Sequence, residues 1–184
     1  MGIGEGNNRL KLKSPALKRD FCMEISDDKF EKAKYSAKKF YEHIGRIWCP
    51  YLGREINFNS EGFEHLLAKS WNRGRSRVEQ YTRLKILPKV VEIIRSSHTL
   101  QEYDQRLVFM RRKINSRWEK QVRTVRYFVF IALLRNHGIR FKIIVKEAEG
   151  GQPFFWSVYP SWRTVTQESG ERKKIFFYGN LEED

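Results

Sequence analysis

The sequence predicts an α+β fold, with N-terminal helices packed on one face of a C-terminal antiparallel β-sheet. Apolar residues recur at helical spacing up to about residue 95. Beyond "RSSHT" they form short runs rich in Val, Ile, Phe and Tyr, which favour strands. Helices followed by strands are typical of an α+β domain. We therefore expect one domain over residues 26–184, preceded by a mobile basic arm over residues 1–25.

Three stretches have the capping residues and the apolar spacing of helices. The first begins after Ser26, a suitable N-cap followed by two aspartates, and its stripe is Phe30, Ala33, Ala37, Phe40, Tyr41 and Ile44. The second is "NSEGFEHLLAKSW", with Asn59 or Ser60 as its cap. Its inward positions are Phe63, Leu66 and Leu67. The third begins in "SRVEQYTRLKIL", and we expect Pro88 to kink or split it.

Six runs read as strands. "REINF" is a short strand between the first two helices. The others are "RLVFM", "VRYFVFIALL", "IRFKIIVKE", "PFFWSVY" and "KKIFFYG", separated by the turn-like "RNHG", "EGGQ" and "ESGE". Because "VRYFVFIALL" is continuously apolar, a buried helix is an alternative for that run.

The hairpin "IRFKIIVKEAEGGQPFFWSVYPSWR" separates an apolar side from a polar one. In its first strand Phe141 and Ile143 alternate with Arg140 and Lys142, because successive strand side chains point to opposite faces. In its second strand one side carries Phe154, Trp156 and Val158, and the other carries Phe155, Ser157 and Tyr159. We expect the apolar sides to face the helices. Phe155, Ser157 and Tyr159 would then share an exposed face with Lys142.

The charge of the chain points to a polyanionic partner. The formal net charge is +14, and eight Lys or Arg face one Glu over residues 106–126 and two Glu over residues 69–95. Such a surplus attracts phosphate backbones, so nucleic acid is the expected partner. Cys22 and Cys49 lack zinc-site spacing and no carboxylate cluster suits Mg²⁺, so we expect no metal and no cofactor. No apolar run of about 18 residues occurs, and we expect a soluble, cytoplasmic protein.

Several polar residues are candidates for chemistry, each with a plainer alternative. His65 lies about 200° around the helix from Phe63 and is therefore off the inward stripe. It is either a functional residue or a surface histidine paired with Glu61. Arg83 is a candidate phosphate ligand, or a helix partner of Glu79.

Further candidates lie in the basic break and along the hairpin. Arg77 follows a glycine in "NRGRSR", and Ser157 either contributes chemistry or makes room for its aromatic neighbours. Trp162 and Arg163 can stack on a base and pair with phosphate, or close the edge of the core.

The order of "INFNSEGFEHLLAKS", "WNRGRSR", "QYTRLKILPKVVEIIRSS" and the hairpin resembles the phage-associated branch of the barnase, EndoU, colicin and RelE-like (BECR) nuclease superfamily, from about Arg54 to Arg163. The resemblance implies a metal-independent endoribonuclease that leaves a 2′,3′-cyclic phosphate. Within it, His65 would transfer the proton, Arg83 or Arg77 would hold the phosphate together with Lys142, and Ser157 would orient it. The implied RNA-binding residues are Arg77, Arg140, Tyr159, Trp162 and Arg163.

Two other readings fit the same charge and aromatic content. One is a non-catalytic nucleic-acid-binding protein encoded by a phage or mobile element. The other is a basic protein that docks an acidic inhibitor or antitoxin, which is compatible with an intracellular ribonuclease because such an enzyme needs restraint.

Overall fold

A computed structural model describes residues 25–70, 73–114, 116–134, 139–167 and 169–176. Over these residues the chain is α+β, with its helices towards the N-terminus and its long strands towards the C-terminus, which confirms the predicted class. The predicted arm over residues 1–25 lies outside the described residues except for Ile25, which is buried.

The described residues form three helices and nine strands. The helices are α1 (Asp27–Ile44), α2 (Ser60–Leu67) and α3 (Arg77–Ser96). The first four strands are β1 (Arg46–Cys49), β2 (Arg54–Asn57), β3 (Ala68–Ser70) and β4 (Arg73–Gly74). The remaining five are β5 (Glu102–Ile114), β6 (Arg117–Leu134), β7 (Ile139–Ala148), β8 (Phe154–Thr166) and β9 (Arg172–Phe176). The ambiguous run "VRYFVFIALL" is therefore strand and belongs to β6.

The main sheet has the strand order β1-β2-β8-β7-β6-β5, and β9 pairs with the far part of β8. Its pairings are antiparallel except at Asn57 and Phe154, where β2 meets β8 in parallel. The sheet is thus mixed through one short contact. Since β7 occupies one edge of β8, β2 and β9 share the other, and no described strand pairs with residues 155–161 on that edge.

Helices α1 and α3 cover one face of the sheet, which we call the helix face. Its buried residues on β6, β7 and β8 are Phe128, Phe130, Phe141, Ile143, Val145, Phe155 and Val158. The other face, called here the opposite face, has a smaller cluster of Val125, Tyr127, Val129, Ile144, Trp156 and Tyr159. Helix α3 runs through Pro88 without a break, so the proline does not split the helix. Leu84, Leu87, Val90 and Ile94 are buried on both sides of the proline, so packing holds the two halves in one helix.

Helix α3 begins with a complete capping box. Ser76 Oγ accepts from the Glu79 backbone N–H at 3.3 Å, and Glu79 Oε2 accepts from the Ser76 backbone N–H at 3.0 Å. Burial raises the pKa of the Glu79 carboxyl, but hydrogen bonds from Ser76 and the charges of Lys69 and Arg83 outweigh it, so the pKa ends below its usual value of 4.5.

We expect Ser76→Ala to lower the free energy of unfolding by about 1 kcal/mol at neutral pH. Because the pKa of Glu79 is lowered in the folded state, its contribution is present above pH 4.5 and is lost as the pH falls further. The difference between wild type and variant should therefore shrink in acid, as measured by urea denaturation at several pH values. Ser36→Ala, at an exposed position in α1, is the control and should show neither effect.

Candidate functional site

A bulge in β8 changes which side chains share a face. Ile144 pairs with Ser157 and Val145 pairs with Phe155, so Trp156 is an extra residue opposite β7. Trp156 and Ser157 therefore both lie on the opposite face, while Phe155 and Val158 belong to the helix face. The prediction for β8 is wrong at Phe154, Phe155 and Trp156, because one inserted residue shifts every side chain on its far side by one face.

The guanidinium of Arg83 lies at the edge of β8, between the residues of β8 that pair with β2 and those that pair with β9. One of its Nη atoms donates to Ser157 Oγ at 2.6 Å and to the Val158 carbonyl at 3.1 Å. The same group lies 5.5 Å from the ring centroid of Tyr159, and Arg83 is 3% exposed. The charge of Arg83 acts on the Glu79 carboxyl, as the helix-pair alternative predicts, but Arg83 is not a surface residue, because this long side chain spans from α3 to β8.

His65 is buried, at 5% exposure, although the sequence places it off the inward stripe. The prediction is wrong because α2 packs against the edge of β8 rather than flat on the sheet. Leu66 joins the core of the helix face, while the His65 ring stacks on Trp156 on the opposite face, with centroids 3.8 Å apart. Both sides of this short helix are therefore buried, so a single apolar stripe does not describe it.

Two further cations contact this region. Lys146 Nζ lies 3.7 Å from the Trp156 ring centroid and 3.8 Å from a carboxylate oxygen of Glu61. Arg75 is 4% exposed and donates through Nε to the His65 carbonyl at 3.1 Å. Sequence reasoning missed both as site residues. Lys146 shares its strand face with Lys142 and could have been found from alternation, whereas nothing distinguishes Arg75 among the arginines of "WNRGRSR".

Ser157 and Tyr159 lie on the opposite face with Lys142, as predicted, but Ser157 is fully buried and Tyr159 is 5% exposed. The expectation of an exposed face is wrong at these two positions, because the strand edge and the aromatic rings around them are themselves packed. Lys142 pairs with Tyr159 across the strands and forms a salt bridge to Glu102 at 2.7 Å. Arg140, two residues away on the same face, is exposed.

The remaining predicted residues do not join this cluster. Arg77 begins α3, is ion-paired to Asp27 at the start of α1 and lies over the Phe30 ring. The side chains of Trp162 and Arg163 lie outside the described residues, although their backbones pair with Arg140 and Ile139 of β7.

His65, Arg83, Trp156 and Ser157 form what we call the bulge cluster. Its members come from α2, α3 and β8, and it combines an imidazole, a guanidinium and a hydroxyl. These are a proton-transfer group, an anion-binding group and a hydrogen-bonding group. Within the described part of the chain, no three His, Cys, Asp or Glu side chains could hold a metal ion together, and no described helix is long and apolar enough to cross a membrane.

No protein-family model, curated protein or solved structure matches this chain.

Proposed function

We propose that the protein is a metal-independent endoribonuclease whose site is the bulge cluster. The single observation that carries the proposal is convergence. His65, Arg83 and Ser157 are far apart in sequence, yet His65 contacts Trp156 and Arg83 contacts Ser157, two successive residues of one strand. These are three of the four catalytic residues that the BECR resemblance implies. The fourth, Lys142, lies on the same sheet face, next to Tyr159.

The proposed reaction needs no metal because the nucleophile belongs to the RNA. The ribose 2′-oxygen bonds to the adjacent phosphorus, the bond from phosphorus to the 5′-oxygen breaks, and the products end in a 2′,3′-cyclic phosphate and a 5′-hydroxyl. His65 would take the proton of the 2′-OH or deliver one to the leaving oxygen, a contribution worth about 10²- to 10⁴-fold in rate.

Arg83 and Ser157 would act on the charge that develops at phosphorus. The guanidinium is held by the Ser157 hydroxyl and the Val158 carbonyl, so its position is set before substrate arrives. Donors fixed in this way stabilise a pentacovalent phosphate without reorganising during the reaction. Lys146 and Lys142 add positive charge on the same sheet face, where they would favour the RNA backbone over a neutral ligand.

Total RNA incubated with the purified protein in EDTA tests the proposal. We expect cleavage to fragments with 2′,3′-cyclic phosphate ends, while DNA of the same sequence stays intact because it lacks the 2′-OH. His65→Ala should slow cleavage at least about 10²-fold. His65→Phe keeps an aromatic ring against Trp156 without a titratable nitrogen, and should lose the same activity while staying folded.

His43→Ala is the matched control, because His43 is exposed on α1 and bonds only to its own helix at the Lys39 carbonyl in the described contacts. It should cleave like the wild type. Undiminished cleavage by His65→Phe would remove His65 from the mechanism.

The burial of the cluster favours a second candidate, a non-catalytic RNA-binding protein. A scissile phosphate must approach His65 and Arg83, which are 5% and 3% exposed, through the contact between α2 and β8. If wild type binds RNA but leaves it intact in EDTA and in Mg²⁺, the cluster only stabilises the fold, and RNA binding replaces RNA cleavage as the proposed function.

A further inference from the structure

The strands β5 and β6 continue beyond the other described strands of the sheet as a two-stranded ribbon. Pairing of β6 with β7 ends at Val125 and Ala148, whereas pairing of β5 with β6 continues to Ile114 and Arg117. We call residues 107–114 and 117–124 the ribbon. Eight residues at about 3.3 Å each give it a reach of roughly 26 Å. An isolated two-stranded ribbon is marginal in water, so its exposed face calls for a partner.

One face of the ribbon carries large apolar side chains that are exposed to solvent. Phe109 of β5 pairs with Val122 of β6. Leu107 lies two residues before Phe109, and Trp118 lies four residues before Val122, so all four share this face. These four side chains are 52% to 78% exposed. They form an exposed apolar patch on a single strand pair, which marks an interaction site rather than scattered surface residues.

Cations lie between the rings on that same face. Arg111 pairs with Lys120, and this pair stands between Trp118 on one side and the pair of Phe109 and Val122 on the other. Both cations are exposed. The order along the face is therefore ring, two cations, ring, with the rings roughly 13 Å apart along the strand.

We propose that the ribbon face is a docking surface for single-stranded RNA, separate from the bulge cluster. Exposed rings stack on bases of any sequence while interleaved cations contact phosphates, the combination that single-stranded nucleic acids require. A second copy of the chain fits this face less well, because a two-fold contact uses the same patch of both copies and would bring Arg111 and Lys120 of each copy into one interface. The choice of RNA rests on the proposed function, and the ribbon would hold the substrate strand outside the site.

The test separates binding from cleavage by using a fluorescein-labelled 2′-O-methyl oligonucleotide of about 20 nucleotides, which covers several single-strand site sizes and has no 2′-OH to attack. Phe109→Ser/Trp118→Ser should raise the Kd at least about tenfold through lost stacking. Arg111→Gln/Lys120→Gln should make the slope of log affinity against log salt shallower by about 1.4, since each single-strand phosphate contact contributes about 0.7.

Tyr35→Ser/Trp48→Ser is the matched control, because both residues are exposed aromatics outside the ribbon, and it should bind like the wild type. All three variants replace exposed side chains, and melting curves should show that each is folded. Ribbon variants that bind like the wild type would overturn the proposal, and so would a wild type that does not bind the oligonucleotide, which would assign the patch to an acidic protein partner. Ribbon-dependent binding without any RNA cleavage would support the ribbon while removing the ribonuclease.

Discussion

Gly62→Ala is expected to lower the free energy of unfolding by about 3 kcal/mol, at the upper end of the usual cost of overpacking. A methyl group at this position would overlap the Phe155 carbonyl oxygen and come within 2.6 Å of the Tyr41 hydroxyl. Neither neighbour can yield easily. The carbonyl belongs to the backbone of β8, and the hydroxyl donates to the carbonyl of Asn59, the N-cap residue of α2, at 2.9 Å.

The clash would push α2 away from β8 and move His65 off Trp156. Gly62→Ala should therefore also impair whatever activity depends on the bulge cluster. Gly74→Ala is the matched control, because a Cβ there meets nothing within 4 Å, and we expect a change of less than about 0.5 kcal/mol. Equal urea midpoints for the two variants would show that α2 does not pack on the β8 edge as described.

The fold class was predictable because long periodic segments decide it. The apolar spacing of α1 and α3 and the alternation in β7 are unbroken patterns over 10 or more residues. In β7 the predicted faces hold, with Phe141 and Ile143 on the helix face and Ile144 on the opposite face. Apolar periodicity predicts the buried face correctly where a helix or strand packs with one flat side against its neighbour.

The site was less predictable because it lies where those simple patterns fail. A bulge at Trp156 leaves no mark in a run of aromatic residues, since each is apolar enough for either face. Helix α2 packs against a strand edge and is buried on both sides. A single apolar stripe therefore does not predict that His65 is buried. Arg83 looks like half of a surface pair with Glu79, and only tertiary structure directs it to β8.

Such local failures of sequence rules are expected where structure is shaped for something other than regular packing. Among the described strands, none pairs with residues 155–161 of β8 on one edge, and Arg83 and His65 contact this gap at Ser157 and Trp156. The side chains at this gap therefore either stabilise the edge of β8 or serve the proposed site. The two explanations predict different behaviour when a single side chain is removed.

Arg83→Leu should lower the free energy of unfolding by about 3 kcal/mol, because the Val158 carbonyl and the Ser157 hydroxyl would lose a charged donor while staying buried. Arg77→Leu, in the same helix, is the control. Its side chain is 51% exposed and pairs with exposed Asp27, so its loss should cost less than about 1 kcal/mol.

A double-mutant cycle with Ser157→Ala decides whether the contact itself is responsible. Once the Ser157 hydroxyl is gone, Arg83→Leu no longer leaves it without its donor, so the two costs should sum to more than the cost of the double variant, by about 1 kcal/mol. Additive costs in urea denaturation would mean that Arg83 stabilises β8 through the Val158 carbonyl and packing alone. In that case Ser157 would be free to bond to a substrate phosphate without loss of stability, and RNA cleavage by Ser157→Ala becomes the more informative measurement.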